Sequence, residues 1–385
     1  MKNKTKLVPI VISFSVLITF VFCGKKKAEW KGTIEEEDGV IVVKNPIEPI
    51  YDEDVFSLEE ELTLEKKEGS EEYLFESVRS IDVDKNDNIY VLDSKAVQIK
   101  IFDKNGKLIG AFGSEGQGPG EMQNPQYMQI TSEEEVMVYD PGTLRLLFFS
   151  MEGRYLRQTS IAKIAYPLLP IKLNSSGELI ALLVPPPPMG GIELKKFDSN
   201  LNLLMMISKE EEDDSYSRRE RKAWRPSLYC VVDQNDNIVW GNSKKYEFHI
   251  LNPEGKLIRK IIKDYEPVNV TEEERERFME RYERARSHLP NFGFKIAFPK
   301  YFPAFRDVSV DEEGRIFVGT YERVENKNNF FYFDIFDSEG KYITKISILA
   351  RLNSASVWKK NKLYTIEEDE EGFQMVKRYK VTWNY

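Results

Sequence analysis

The chain has 385 residues, 41% hydrophobic and 12% aromatic, enough apolar mass to exclude a mainly disordered chain although 31% of it is charged. That length calls for two domains or one repetitive architecture. Lys and Arg number 55 against 64 Asp and Glu, and the net charge of −9 lacks the diffuse positive field on which nucleic-acid binders rely; two Cys and two His leave little material for soft-ligand metal chemistry.

In chain order, the first segment reads as an address. Lys2, Lys4 and Lys6 precede an uncharged stretch from Leu7 to Phe22, followed by Cys23-Gly24 and the run Lys25-Lys26-Lys27. The uncharged stretch is shorter than the ~20 residues that a membrane-spanning helix needs. It resembles the signal and lipobox of bacterial lipoproteins, which implies that Cys23 is the lipid attachment site, although Phe20-Val21-Phe22 departs from the usual Leu-small-small pattern. An uncleaved N-terminal anchor is the other reading. The expected organisation is a signal peptide over 1–22, a lipid-attached tether over 23–50 and a folded body over 51–385. The implied location is the cell envelope, on the periplasmic or extracellular side of a bacterial membrane. Removing residues 1–22 takes away three Lys and no acid, leaving 52 basic against 64 acidic residues, a net charge of −12. Cys230 is then the only other thiol besides Cys23, and a buried small hydrophobe is its expected role.

From residue 80 onward the chain repeats. FDKNGKLI at 102–109, FSMEGRYL at 149–156, FDSNLNLL at 197–204, LNPEGKLI at 251–258 and FDSEGKYI at 336–343 each join two apolar strand ends through a polar turn, a hairpin signature. Just upstream of each lies a second series: NIYVLD, EVMVYD, ELIALL, NIVWGN, RIFVGT and, last, KLYTIE at 362–367. Their markers Ile89, Val136, Leu179, Ile238, Ile316 and Leu363 are spaced by 47, 43, 59, 78 and 47 residues. A four-stranded unit recurring at about 40–50 residues is the mark of a β-propeller blade. An all-β, six-bladed β-propeller is therefore expected. The stretch from Ser80 to Pro125 resembles the NHL repeat, and the order of parts resembles bacterial six-bladed propeller lipoproteins with NHL-like blades. The last blade runs out of chain after a third strand over Gln374 to Thr382. Phe56 to Leu64, upstream of blade 1, has the apolar positions to complete it and close the ring, which removes exposed edges.

In such a blade the 2→3 loops and the blade-to-blade connections share one rim, and the long segments of this chain all fall into that class. That face is the expected binding surface. An insertion over 264–304, between blades 4 and 5, holds TEEERERFMERYERARSHLP, where Thr271 and Glu274 make a capping box and a helix from about 272 to 288 is expected. Phe278, Tyr282, Ala285 and Leu289 form one apolar stripe that either docks the helix on the rim or meets a partner. Phe292, Phe294, Phe298, Tyr301 and Phe302 follow, and Arg218, Arg219, Arg221 and Arg225 supply cations on the same face. The residues expected to meet a ligand are those four Arg with Phe278, Tyr282, Tyr301 and Phe302.

Motifs that suggest other chemistry fail on detail. Asp84 to Asn88 and Asp233 to Asn237 open like calcium loops but lack the Gly and Glu that an EF-hand requires, and read as hairpin turns. Gly113 to Gly120 is Gly-rich without a phosphate-loop Lys. His249 and His288 fall in unrelated elements. The expectation is a monomeric, membrane-tethered binding or scaffold propeller for a protein, peptide or glycan, with no cofactor and no nucleic acid. Its alternative is a metal-dependent extracytoplasmic hydrolase or lyase. Some NHL-like propellers are such enzymes, and the resemblance then implies one divalent metal such as Ca in the central channel, although its ligands have no residue-by-residue match here; Asp82, Asp307 and Ser309, near the first strands, are expected either to line the channel or to serve in hairpins and strands.

Overall fold

The computed structural model describes residues 29–51, 55–65, 73–164, 166–185, 191–210, 220–286, 295–324, 331–348, 355–369 and 371–384. They form a six-bladed β-propeller. Before the ring comes a hairpin of β1 (Thr33–Glu37) and β2 (Val40–Asn45), then the lone strand β3 (Phe56–Leu64). Blade 1 is β4 (Val78–Val83), β5 (Ile89–Asp93), β6 (Gln98–Phe102) and β7 (Leu108–Phe112). Blade 2 is β8 (Tyr127–Ile130), β9 (Glu135–Asp140), β10 (Arg145–Ser150) and β11 (Tyr155–Ser160). Blade 3 follows as β12 (Tyr166–Leu173), β13 (Leu179–Val184), β14 (Ile192–Phe197) and β15 (Leu203–Glu210). After the short strand β16 (Glu220–Lys222), blade 4 is β17 (Leu228–Val232), β18 (Ile238–Asn242), β19 (Glu247–Leu251) and β20 (Leu257–Lys263). Helix α1 (Glu272–Arg286) and strand β21 (Lys295–Ala297) lie in the insertion. Blade 5 is β22 (Asp307–Val310), β23 (Ile316–Arg323), β24 (Phe331–Phe336) and β25 (Tyr342–Ile348). Blade 6 has β26 (Val357–Lys359), β27 (Lys362–Glu368) and β28 (Gln374–Trp383), and β3 is its fourth strand, antiparallel to β28 from Leu64↔Val376 to Phe56↔Trp383.

The core is divided among the joints between blades. Six apolar clusters each bridge one pair of neighbouring blades, including the pair that closes the ring, where Leu64, Phe75 and Phe102 pack with Tyr364 and Val376. A second strand is therefore covered on both faces and reads as an unbroken apolar run. IYVLD of β5 is buried at every position. The calcium-like motifs are turns: Asp84 Oδ1 accepts the N–H groups of Asn86 and Asn88, and Asp233 Oδ1 those of Asn235 and Asn237. Leu201, in the place of the turn Gly in blade 3, takes a left-handed φ of 61° and is buried in the joint between blades 2 and 3, which offsets the backbone strain. The Asp that ends a second strand clamps the incoming connection. Asp93 accepts from the N–H groups of Glu76 and Ser77, and Asp140 from those of Gln123 and Asn124.

The structure differs from the expected tether within 23–50. Residues 33–45 are a hairpin whose β2 pairs in parallel with β20, extending the sheet of blade 4 to six strands. Asn45 fixes it: its Nδ2 donates to the Gly340 carbonyl (2.9 Å), and its Oδ1 accepts from the Tyr342 N–H (2.7 Å) and from Trp30 Nε1 (3.0 Å). The new edge, β1, is exposed and carries Glu35, Glu36 and Glu37, charges that discourage further strand addition. Cys23 and the rest of residues 1–28 lie outside the described residues. Among the described residues no helix is long and apolar enough to cross a membrane.

Candidate functional site

On the long-loop face the insertion is a built platform. Thr271 Oγ1 accepts the Glu274 N–H at 3.3 Å, so the cap forms and α1 starts where the sequence predicts; its described part runs to Arg286. Glu274 does not reach back to Thr271 to complete the capping box. Its carboxylate pairs with Arg323 of β23 and with Arg277, which pins the first turn of the helix to blade 5. The return of the insertion is held by the Phe302 N–H to the Val268 carbonyl (2.9 Å) and the Ala304 N–H to the Ser243 carbonyl (2.8 Å). β16 and β21 pair in parallel, so the segment after blade 3 and the insertion after blade 4 are stitched to each other.

Trp224 is the hub of this platform. Its ring meets Phe278 at 5.0 Å, Phe298 at 5.6 Å and Phe302 at 4.8 Å, while Tyr282 stacks on Phe278 and Tyr321 on Phe302. Phe278 and Tyr282, the described part of the apolar stripe, therefore dock on the rim. Phe302, expected on the binding surface, is 7% exposed and is a correction: its ring is sandwiched between Trp224 and Tyr321 and serves as an anchor. Phe278 and Tyr282 are half-buried, whereas Arg221, Arg225 and Tyr301 are exposed on the same face. Arg218, Arg219, Leu289, Phe292 and Phe294 lie outside the described residues. Trp224 and Tyr321 were not singled out from the sequence.

The second concave feature is the axis of the ring, a cavity of about 350 Å³ walled by the innermost strands. Asp82, Asp307 and Ser309 line it as expected, together with Tyr127, Lys172, Tyr229, Cys230, Val231, Val357 and Trp358. Much of its polarity is spent on joining blades. Asp82 accepts the Val83 N–H and, across to blade 2, the Ile130 N–H, both at 2.7 Å. Gln129 continues the pattern into blade 3, donating to the Leu173 carbonyl and accepting its N–H. Ser309 accepts the indole N–H of Trp358 at 3.4 Å. Burial raises the pKa of Asp82 despite its two N–H donors, and pushes the Cys230 thiol up to about 12, which leaves it inert at neutral pH. Burial also works against the Lys172 ammonium, but the Tyr127 hydroxyl and the Asp82 charge outweigh it and hold its pKa above the ordinary value.

A metal finds a poor donor set here. Among the described residues no group of three His, Cys, Asp or Glu side chains could hold one, and the wall offers two carboxylates of which Asp82 is already occupied. His249 lies on β19, stacked on Trp240 at 4.5 Å and bonded to Glu247 at 2.9 Å. His288 is outside the described residues.

By sequence, residues 30–175 match the family model described as "6-bladed beta-propeller". No curated protein matches the chain. Among solved structures, a putative exported protein from Bacteroides fragilis aligns at 12% identity and a TM-score of 0.53, covering 89% of this chain and 100% of its own. A member of the duf4221 family from Bacteroides vulgatus aligns at 12% identity and a TM-score of 0.54, covering 86% of this chain and 100% of its own. At such identity the likeness concerns the fold.

Proposed function

We propose that this propeller is an exported, lipid-anchored binding module that presents its long-loop face to a protein, peptide or glycan. One observation carries the reading: the described part of the longest insertion is a platform locked by the Trp224 cluster, the β16–β21 pairing and the Glu274–Arg323 ion pair. Rigid presentation of exposed Arg221, Arg225 and Tyr301 reduces the ordering cost of association, and aromatic and Arg side chains are the types that dominate binding surfaces. The leader supports the location, with Cys23 as the acylated residue and the acidic body kept off an anionic surface while its N-terminus holds it near one. The channel supports binding over catalysis, because its Asp82 carboxylate, the Gln129 amide and the Ser309 hydroxyl are engaged between blades.

The test is cross-linking in the cell envelope followed by recovery of the tethered protein, comparing the native chain with the variant Arg221→Glu, Arg225→Glu, Tyr301→Ala. All three side chains are exposed, so the fold is expected to survive. Loss of the recovered partners with an unchanged melting curve supports the reading. Recovery of the same partners by both proteins places the binding surface elsewhere.

A further inference from the structure

We propose that the central cavity is a separate binding site for a small monocarboxylate with an apolar body, its anionic end held by Lys172. The innermost strands follow one another around the axis in blade order, so each contributes side chains to a common rung. In the first five blades that rung is Asp82, Gln129, Lys172, Val231 and Ser309, the positions paired with Tyr90, Met137, Ile180, Val239 and Phe317 of the second strands. Asp82, Gln129 and Ser309 have partners across the blade joints. Lys172 differs from them. Its Nζ lies 5.1 Å from the centre of the Tyr127 ring, and among the described residues it forms no ion pair. An ammonium has three donors, which can serve a ligand oxygen or water.

The rest of the wall sets the ligand class. Val231, Val308, Val357 and the indole of Trp358 offer apolar contact, and blade 6 stands opposite blade 3 in a ring of six. A body that spans from Lys172 across the axis therefore meets hydrophobic surface at its far end. Asp307, two residues nearer the loop face than the rung, disfavours a second negative group. At about 350 Å³ the cavity is at the small end of ligand pockets, which run from roughly 300 to 1,000 Å³. One carboxylate on a compact aromatic or branched aliphatic body fits these constraints.

Calorimetry with the detergent-purified full chain tests the proposal, using 3-phenylpropionate, its neutral amide and a dicarboxylate of similar length. The propionate is expected to bind one-to-one, and the amide and dicarboxylate about tenfold or more weakly, the scale of one charge-assisted hydrogen bond. Lys172→Met should bind propionate and amide alike. Should that variant fail to fold, Val231→Phe, which fills the cavity from blade 4, should abolish propionate binding. The loop-face variant above should leave it unchanged, so the two sites fail or stand independently. No binding of the propionate, equal binding of acid and amide, or undiminished binding in Lys172→Met or Val231→Phe overturns the proposal.

Discussion

Closure of the ring by β3 makes a quantitative demand on Leu64. Its side chain is 1% exposed, packed in the joint between blades 6 and 1, and close enough to the 3→4 turn of blade 1 that a Cβ at Gly106 would lie 2.9 Å from it. Leu64→Ala should therefore cost about 2–5 kcal/mol, the range for truncating a fully buried Leu. Deleting Phe56–Leu64 also removes Phe56, Leu58 and Leu62, half-buried against β28 and its neighbours, with Phe56 edge-on to Trp383 at 4.8 Å. Half the value of a fully buried side chain gives roughly 0.7–1.5 kcal/mol for each. The deletion then totals roughly 4–10 kcal/mol, comparable with the ~5–15 kcal/mol that holds a domain folded. As a control, Ile109→Ala on β7 removes a side chain of the same size that is 54% exposed, and should stay within about 0.5 kcal/mol. Urea unfolding followed by far-ultraviolet circular dichroism measures all three. The closure is refuted if the deletion melts as the native protein does, or if Leu64→Ala costs no more than Ile109→Ala.

Three further outcomes are expected. Asp334 is 1% exposed, accepts the hydroxyls of Tyr246 and Tyr342 at 2.6 Å each, and faces Lys263 Nζ at 3.4 Å; Asp334→Ala leaves a buried ammonium unpaired and should cost about 3–5 kcal/mol in urea unfolding. Burial against Trp240, aided by Lys260 and opposed by Glu247, lowers the pKa of His249 below its ordinary 6.5. The unfolded chain then takes up the proton first as pH falls, so this contribution to stability is present above 6.5 and lost below it, and the difference in urea midpoint between the native chain and His249→Phe should change across that window. If Cys23 is acylated, Cys23→Ala should abolish incorporation of radiolabelled palmitate and release the protein from the membrane fraction; persistent labelling would point to another attachment.

The ring was legible because its repeats are written in local chemistry. Asp or Asn opens most of the hairpins by capping its own turn, with Thr131 and Ser150 in that place in blade 2, so similar residue types recur at the same offsets. The position of β3 followed from a blade that lacked a strand. The β1–β2 hairpin has a local signal of its own: Asp38-Gly39, both at positive φ, is a two-residue turn ahead of the run Val40-Ile41-Val42-Val43. Trp224 left no trace, since a single aromatic in a polar segment has no periodicity and its partners Phe278, Phe298 and Phe302 come from a distant part of the chain. Lys172 was hidden for a related reason. Its role depends on which inner strands share a rung around the axis, and that is a property of the closed ring.

The strand that closes the ring also sets when folding can finish. Lys377 meets Glu60 across 317 residues of sequence, and the β3–β28 pairing is among the longest-range contacts in the body. Blades 1 to 5 can assemble from neighbouring segments as they leave the ribosome, but blade 6 waits for β28. Contacts of such separation are slow to form, and until then β3 and the open edges of blades 1 and 5 are exposed to mispairing. With the export proposed above, in which the chain would be threaded unfolded through a membrane, this late step would keep it from locking shut before it has crossed, and would leave an interval in which a chaperone that shields β3 would raise the yield of folded protein.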